Sequence, residues 1–503
     1  MTRDIIGGIV VLVVVILFVA AYLRAQKGRD RSSIILILAA GFLLRAFTGS
    51  DLFLHEWDER YHSLVAKHLV ANPLTPTLYE DPLLPYDFKH WTANHVWLHK
   101  EPLALWSMAF SMSVFGFNEI ALRLPSILFS TLGILITFLI GREFGGARIG
   151  LIAAFLHAVN GYLIELAAGR IPTDHVDTLF IALIGLGVLI AVKSGPGNPW
   201  RGAVLMGLVT GLAALTKSAV SLTLVILWAS MIWNRSRCGC PAVAGRVMLA
   251  VAVAAVVYLP WHFYIGQAFP AEAAWERSYN VRHLTVALEG HDGGPLYHLW
   301  RIPRYFGELA YLSIGWFFLF RLRFRLSDRK QIALALWLVI PYGFFSLATT
   351  KMPGYVMIAA PAVFIMLALH FQHLKEVAGA ARGWRRFGAM AIMTLLLALP
   401  VRFGLERVKP MWGPGWETEW SRLYRGIGRQ FQGDRAVVYN VERPIELMFY
   451  SSVLAYERIP SAEEVALSES KGYRVAILDH GDIPLWIQNH PRIVQVQTTS
   501  DLR

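Results

Sequence analysis

From Ile5 to Leu23 the chain runs without a single charged residue, and comparable apolar stretches recur up to about residue 405. Roughly 20 consecutive apolar residues are what a helix needs to cross the hydrocarbon of a bilayer. Such a run can enter hydrocarbon only if its backbone polar groups are satisfied internally, and the α-helix does this within one segment. Of 503 residues, 55% are hydrophobic and 16% charged, a balance foreign to a soluble domain of this size. The first run lacks a small-residue cleavage site and exceeds a typical signal-peptide core, so it reads as a helix.

A formal charge of +12 raises the question of nucleic acid. The basic residues cluster in short loops between apolar runs, which is the pattern of membrane topology, and no nucleic-acid partner is expected. Arg24 to Arg31, Arg142 with Arg148, Lys193 with Arg201, Arg235 to Arg246, Arg321 to Lys330 and Lys375 to Arg386 all fall on one side under a single set of spans. Those spans are about 5–23, 33–50, 121–141, 148–167, 176–193, 201–216, 218–234, 246–264, 304–320, 331–348, 354–373 and 387–404. The basic side is then the cytoplasm. Cys238 and Cys240, one residue apart, give neither a disulfide framework nor a zinc site.

The apolar stretch Leu103 to Phe115 is too short to span. Counting it would invert every later loop, so residues 51–120 read as one outer loop with surface helices near 58–70 and 103–115. Beyond residue 405, short alternations such as Ala436–Tyr439 and Arg474–Asp479 flank helical stretches near 443–450 and 461–470. The expected fold is a polytopic α-helical membrane protein of about twelve spans (1–404) with a small α/β domain (405–503) on the outer, periplasmic side.

The outer side collects the unusual polar groups. His55-Glu56-Trp57-Asp58-Glu59-Arg60-Tyr61 follows a span directly, and charge at such a junction points to function. With it lie His90 to Pro102, Gly169 to Asp177, Thr216-Lys217-Ser218, Gly266 to Arg301 and Thr349 to Tyr355.

In this order, Trp57-Asp58-Glu59-Arg60-Tyr61, Lys100-Glu101-Pro102, Phe115-Gly116 with Glu119 and Arg123-Leu124-Pro125-Ser126, Gly169-Arg170 with Asp174, Thr216-Lys217, and Lys351-Met352-Pro353-Gly354-Tyr355 resemble the GT-C glycosyltransferases. The bacterial branch of lipid A aminoarabinose transferases and relatives of protein O-mannosyltransferases is the most similar. The resemblance covers about residues 33–375. It implies transfer of a sugar from a polyprenyl-phosphate donor to a lipid, glycan or protein acceptor at the outer face, with membrane lipids as neighbours. Lys100-Glu101-Pro102 departs from the family's Lys-Pro-Pro by placing a carboxylate beside the lysine.

Displacing a lipid phosphate from an anomeric carbon requires stabilisation of the leaving group and, for a hydroxyl acceptor, a base. Asp58 is the first candidate for the base or for orienting the acceptor, with Glu59 beside it; the plain alternatives are a helix cap and helix-start electrostatics. Asp174 and Asp177 lie about one turn apart at the entrance to a later span; by the resemblance Asp174 is the better match to the second acidic position, expected to position or deprotonate the acceptor with Asp58, Asp177 lies deeper as the alternative, and one of the two is expected to be only a cap. Lys100, Lys217 and Lys351 run against the cytoplasmic bias of basic residues, so a shared anion, the donor phosphate, accounts for them better than snorkelling does. Arg170 and Arg282 are suited to complete that clamp. Tyr61 and Tyr355 match family tyrosines near the phosphate, or serve as interfacial anchors. A divalent metal ion is an open reading, through His99, His283 and His291 with His90, His95, His298 and Glu101 nearby, although no tight ligand spacing appears. A transporter or flippase of lipid-linked glycans is the alternative function; it predicts internal repeats and mid-span polar residues, and neither stands out.

Overall fold

The computed structural model describes residues 2–193, 199–233, 240–322, 328–412, 415–481 and 483–497. Cys238 and the loop arginines Arg235, Arg237, Arg323 and Arg325 lie outside these. The chain divides into two compact units, one of residues 1–49, 100–104 and 126–413, the other of 50–99, 105–125 and 414–503. Residues 50–99 and 105–125, grouped by hydropathy with the membrane region, thus belong structurally with the carboxy-terminal segment. Their mixed polar and aromatic composition gives them a core to share there and none to share with lipid.

Eight helices of the described residues are long and apolar enough to cross a membrane, or nine if a bent pair counts as one. The chain is a multi-pass helical membrane protein. Against the expected twelve, the region 201–216 forms the helix Pro199–Lys217 but is not among the eight, while 218–234 and 304–320 yield only shorter apolar helices. Helices Arg3–Gln26, Cys240–Ala268 and Gly383–Val408 leave most of their apolar surface exposed. Segments Asp174–Lys193 and Pro353–Ala380 are the buried ones, at 83% and 89% of their apolar windows, and form the centre of this unit. A helix apolar all round is what a central position requires.

The bent pair shows how sequence sets a break. Helix Ala147–Val159 ends at Asn160, whose side chain accepts the Leu163 N–H and so caps helix Gly161–Ala167, at 59° to the first. The carbonyls freed by the break at His157 and Ala158 accept from the guanidinium of buried Arg45, at 3.3 and 3.2 Å.

Helix Asp58–Ala71 of the second unit and helix Pro102–Phe115, which belongs to it from Leu105 onward, have 14 residues each, about 21 Å of rise and short of a span. Four parallel strands, β1 (Ala436–Tyr439), β2 (Leu454–Ala455), β3 (Arg474–Asp479) and β4 (Val494–Gln497), form one sheet in the order β2-β1-β3-β4. β1 and the middle of β3 are buried continuously, because a parallel sheet covered on both faces replaces alternation with an unbroken apolar run. Helix Pro444–Tyr450 packs on Asp58–Ala71. Lys67 fastens the two by donating to the carbonyls of Met448, Phe449 and Ser451 at its end.

Candidate functional site

Three of the sequence motifs converge in the first unit. Thr173 and Asp174 enter helix Asp174–Lys193 with φ of 68° and 23°, a turn that L-residues adopt only when their surroundings enforce it. One turn on, the buried Asp177 accepts from the Thr173 hydroxyl and from Nζ of Lys217. Lys217 is the last residue of helix Pro199–Lys217, where a cation suits the carbonyl end. Its ammonium also lies 4.7 Å from the ring centre of Tyr355, in the short helix Pro353–Ala359. Gly354 closes the arrangement: a Cβ there would stand 2.7 Å from both Asp177 Oδ2 and Thr173 Oγ1. Of the two acids at this helix start, Asp177 meets Lys217, and Asp174 Oδ1 accepts the N–H of His175.

Lys351 has a different position from the one expected. It is 2% exposed, and its ammonium donates to the carbonyls of Phe345, Ser346 and Ala348, closing the end of helix Arg329–Leu347. An ammonium has three protons to give, and all three are engaged, so a donor phosphate finds no N–H there. Burial lowers its pKa. Beside it, burial together with Lys351 and Arg301 pulls the fully buried His298 down to about 4, so that it is neutral at pH 7.

Arg170 donates to the Val408 carbonyl at 3.3 Å. Arg282 is exposed on helix Pro270–Thr285, whose carboxy end is tied to the Lys351 segment by Thr349 N–H to Leu284 O and Thr350 N–H to His283 O. Lys100 is half-buried just before helix Pro102–Phe115. The departing Glu101 faces His262 Nε2 at 3.3 Å and the Tyr258 hydroxyl at 3.5 Å, both on helix Cys240–Ala268.

The second unit separates the neighbours Asp58 and Glu59. Glu59 is fully buried: Arg123 Nε and Nη2 donate to its two oxygens at 2.7 and 2.8 Å, and the His55 N–H donates at 2.7 Å. The His55 ring bridges Glu59 at 2.8 Å and Asp51 at 3.3 Å. Arg123 also donates to the carbonyls of Asp51 and Phe53, so that the 51–55 loop is wound around one guanidinium. Asp58 opens helix Asp58–Ala71 and is half-buried. Tyr61 is buried edge-on against Trp91 at 4.8 Å, with the Arg60 guanidinium 4.8 Å from its ring centre. Burial raises its hydroxyl pKa. Arg123 was visible as a motif residue, but only the fold shows what it holds.

Among the described residues, no three His, Cys, Asp or Glu side chains gather as a metal site. His99 instead stacks on Trp91 with ring centres 4.3 Å apart, and His283 meets the Tyr279 ring at 5.3 Å. His291 contributes its carbonyl to the Lys351 N–H at 2.9 Å. The three histidines of the open metal reading do not gather as one set among the described residues.

Solved structures share this fold. ArnT from Cupriavidus metallidurans bound to undecaprenyl phosphate is similar with a TM-score of 0.59 over 87% of this chain and 88% of that one, at 16% identity. The archaeal oligosaccharyltransferase AglB from Archaeoglobus fulgidus, in complex with an inhibitory peptide and a dolichol-phosphate, gives 0.57 over 88% and 68%, at 13% identity. In sequence, residues 99–263 match the family model of dolichyl-phosphate-mannose-protein mannosyltransferase. The undecaprenyl phosphate-alpha-4-amino-4-deoxy-L-arabinose arabinosyl transferase 1 of Pseudomonas fluorescens is 29% identical over 53% of this chain and 48% of its own. That of Pseudomonas paraeruginosa is 29% identical over 64% and 59%. The chain thus resembles the bacterial aminoarabinose transferases, as its motifs indicated, and spans about half to three-fifths of the length of these relatives.

Proposed function

We propose that this chain is an inverting glycosyltransferase that moves a sugar from a polyprenyl-phosphate donor to a lipid, glycan or protein acceptor at the periplasmic face of the inner membrane. The observation that carries the reading is the convergence of Asp177, Lys217, Tyr355 and Gly354 from three motifs distant in sequence, in a fold shared with lipid-phosphate-binding transferases. This reading takes twelve spans with the basic loops in the cytoplasm, and on that topology these residues, Asp58, Lys100 and the carboxy-terminal α/β domain are each assigned to the periplasmic side.

Lys100 and Lys217, with Arg282 and Tyr355, take the donor phosphate. The acceptor oxygen attacks the anomeric carbon, the bond from that carbon to the phosphate oxygen breaks, and its electron pair stays on the phosphate, where the lysines stabilise it. Asp58 orients the acceptor and, for a hydroxyl, receives its proton; a phosphate acceptor needs only the orientation. Asp177 holds Lys217 in place.

Purified protein given a radiolabelled polyprenyl-phosphate sugar should release free lipid phosphate and lose that activity in the double variant Asp58→Asn with Lys100→Ala. Release that survives both substitutions overturns the assignment. A vesicle assay showing that the labelled lipid crosses the bilayer without being cleaved would favour the flippase reading.

A further inference from the structure

The carboxy-terminal sheet changes direction once. With the order β2-β1-β3-β4, the chain leaves β1 toward one side and later adds β3 on the other. In open parallel sheets, ligands lie beyond the carboxyl ends of the strands at such a point. Here those ends are tied together: Asn440, with φ of 60°, donates from Nδ2 to Leu478 O at 3.0 Å, and His480 Nε2 lies 3.1 Å from Asn440 O. The two residues that follow Val441, Glu442 and Arg443, form one wall of a cavity of about 410 Å³. Its other wall is Glu56, Trp57 and Arg60, around the start of helix Asp58–Ala71, and all five residues belong to the same compact unit.

The charges of this cavity constrain its occupant. Arg443 Nη2 donates to Glu56 Oε1 at 2.8 Å. Arg60 and Arg443 stand 3.7 and 3.8 Å from one oxygen of Glu446, which is fully buried behind them. An anion entering the cavity meets Glu56 and Glu442, and a cation meets Arg60 and Arg443. A neutral polyol is matched by both sets, since guanidinium N–H groups donate to hydroxyl oxygens and carboxylates accept hydroxyl protons. Trp57, 54% exposed, offers an aromatic face with polar groups on either side, suited to the C–H face of a sugar ring. The volume is within the range of small-ligand pockets.

We propose that this cavity is a saccharide subsite that takes a neutral sugar ring of the acceptor. Trp57 directly precedes Asp58 and Arg60 follows it by two positions, so a ring held here lies near the group assigned to the acceptor. The word acceptor rests on the transferase reading, whereas saccharide binding does not.

The test uses the full chain in nanodiscs and saturation-transfer NMR with methyl glycosides of glucose, galactose, mannose and N-acetylglucosamine. Inorganic phosphate and choline serve as charged probes. At least one glycoside should bind saturably, at least tenfold more weakly to Trp57→Ala and to Glu442→Ala, and within about threefold of the parent affinity to Trp57→Phe. Both substituted positions are exposed, and unchanged circular dichroism verifies folding. Absence of glycoside binding, equal binding by all variants, or phosphate or choline binding tighter than every glycoside overturns the proposal. Failure of the parent protein to cleave the lipid-linked sugar would instead overturn the transferase reading, and the glycoside result would stand apart from it.

Discussion

Lys217 gives its ammonium to Asp177, forty positions earlier, and lies over the ring of Tyr355. The carboxylate is buried, while the lysine side chain is 23% exposed. Breaking a fully buried pair costs about 3–5 kcal/mol, and the exposed lysine reduces that here to about 2–3 kcal/mol. Asp177→Asn should lower stability in detergent by this amount and abolish transfer, while Asp177→Leu with Lys217→Met should recover the stability without the activity. A double-mutant cycle read by thermal unfolding checks the coupling.

Asp58 and Glu59, adjacent in the chain, should separate experimentally. Glu59→Gln leaves the Arg123 guanidinium buried against a neutral amide and should destabilise the second unit by about 3–5 kcal/mol. Arg123→Lys should do the same, because a lysine cannot donate to both carboxylate oxygens and two loop carbonyls in one plane. Asp58→Asn should fold as the parent does and, with a hydroxyl acceptor, lose about 10²–10⁴ in turnover. Hydrogen exchange and turnover, measured on the same samples, distinguish the two.

Gly354 admits no side chain without moving its neighbours. In Gly354→Ala the new methyl displaces the Asp177 carboxylate or the Thr173 hydroxyl, and Lys217 moves with them. Misplacement by about an ångström is enough for a loss of about 10² in rate, with the protein still folded. Turnover at saturating donor, set beside an unchanged gel-filtration profile, is the measurement.

The buried Glu446 gives unit two a pH dependence. Burial raises its carboxyl pKa, with Arg60 and Arg443 only partly opposing this. The folded state therefore binds the proton more tightly than the unfolded chain. Its contribution to stability is complete below the ordinary carboxylate pKa and is lost as pH rises through the raised one. Glu446→Gln removes this titration, so the difference in exchange protection between variant and parent at helix Pro444–Tyr450 should grow in the variant's favour as pH is raised from about 4.5 to neutrality.

Much of the membrane architecture was legible in the chain because hydrocarbon imposes a one-dimensional code of length and apolarity. The helices from Arg3 to Thr48, the two short helices and the helical stretches of the tail all follow from local composition. Continuous burial replaced alternation in β1 because covering by helices on both faces is a property of the sheet.

The sequence by itself determined that this is a multi-pass membrane protein with polar motifs in a fixed order, and it named the acids and lysines worth weighing. Only the tertiary structure decided which of them meet. It joined Asp177 to Lys217, turned Glu59 inward to Arg123 and committed Lys351 to three carbonyls. It also grouped residues 50–99 and 105–125 with the tail. Ionic partners are chosen by three-dimensional proximity under a desolvation penalty, and neither quantity can be read along a chain.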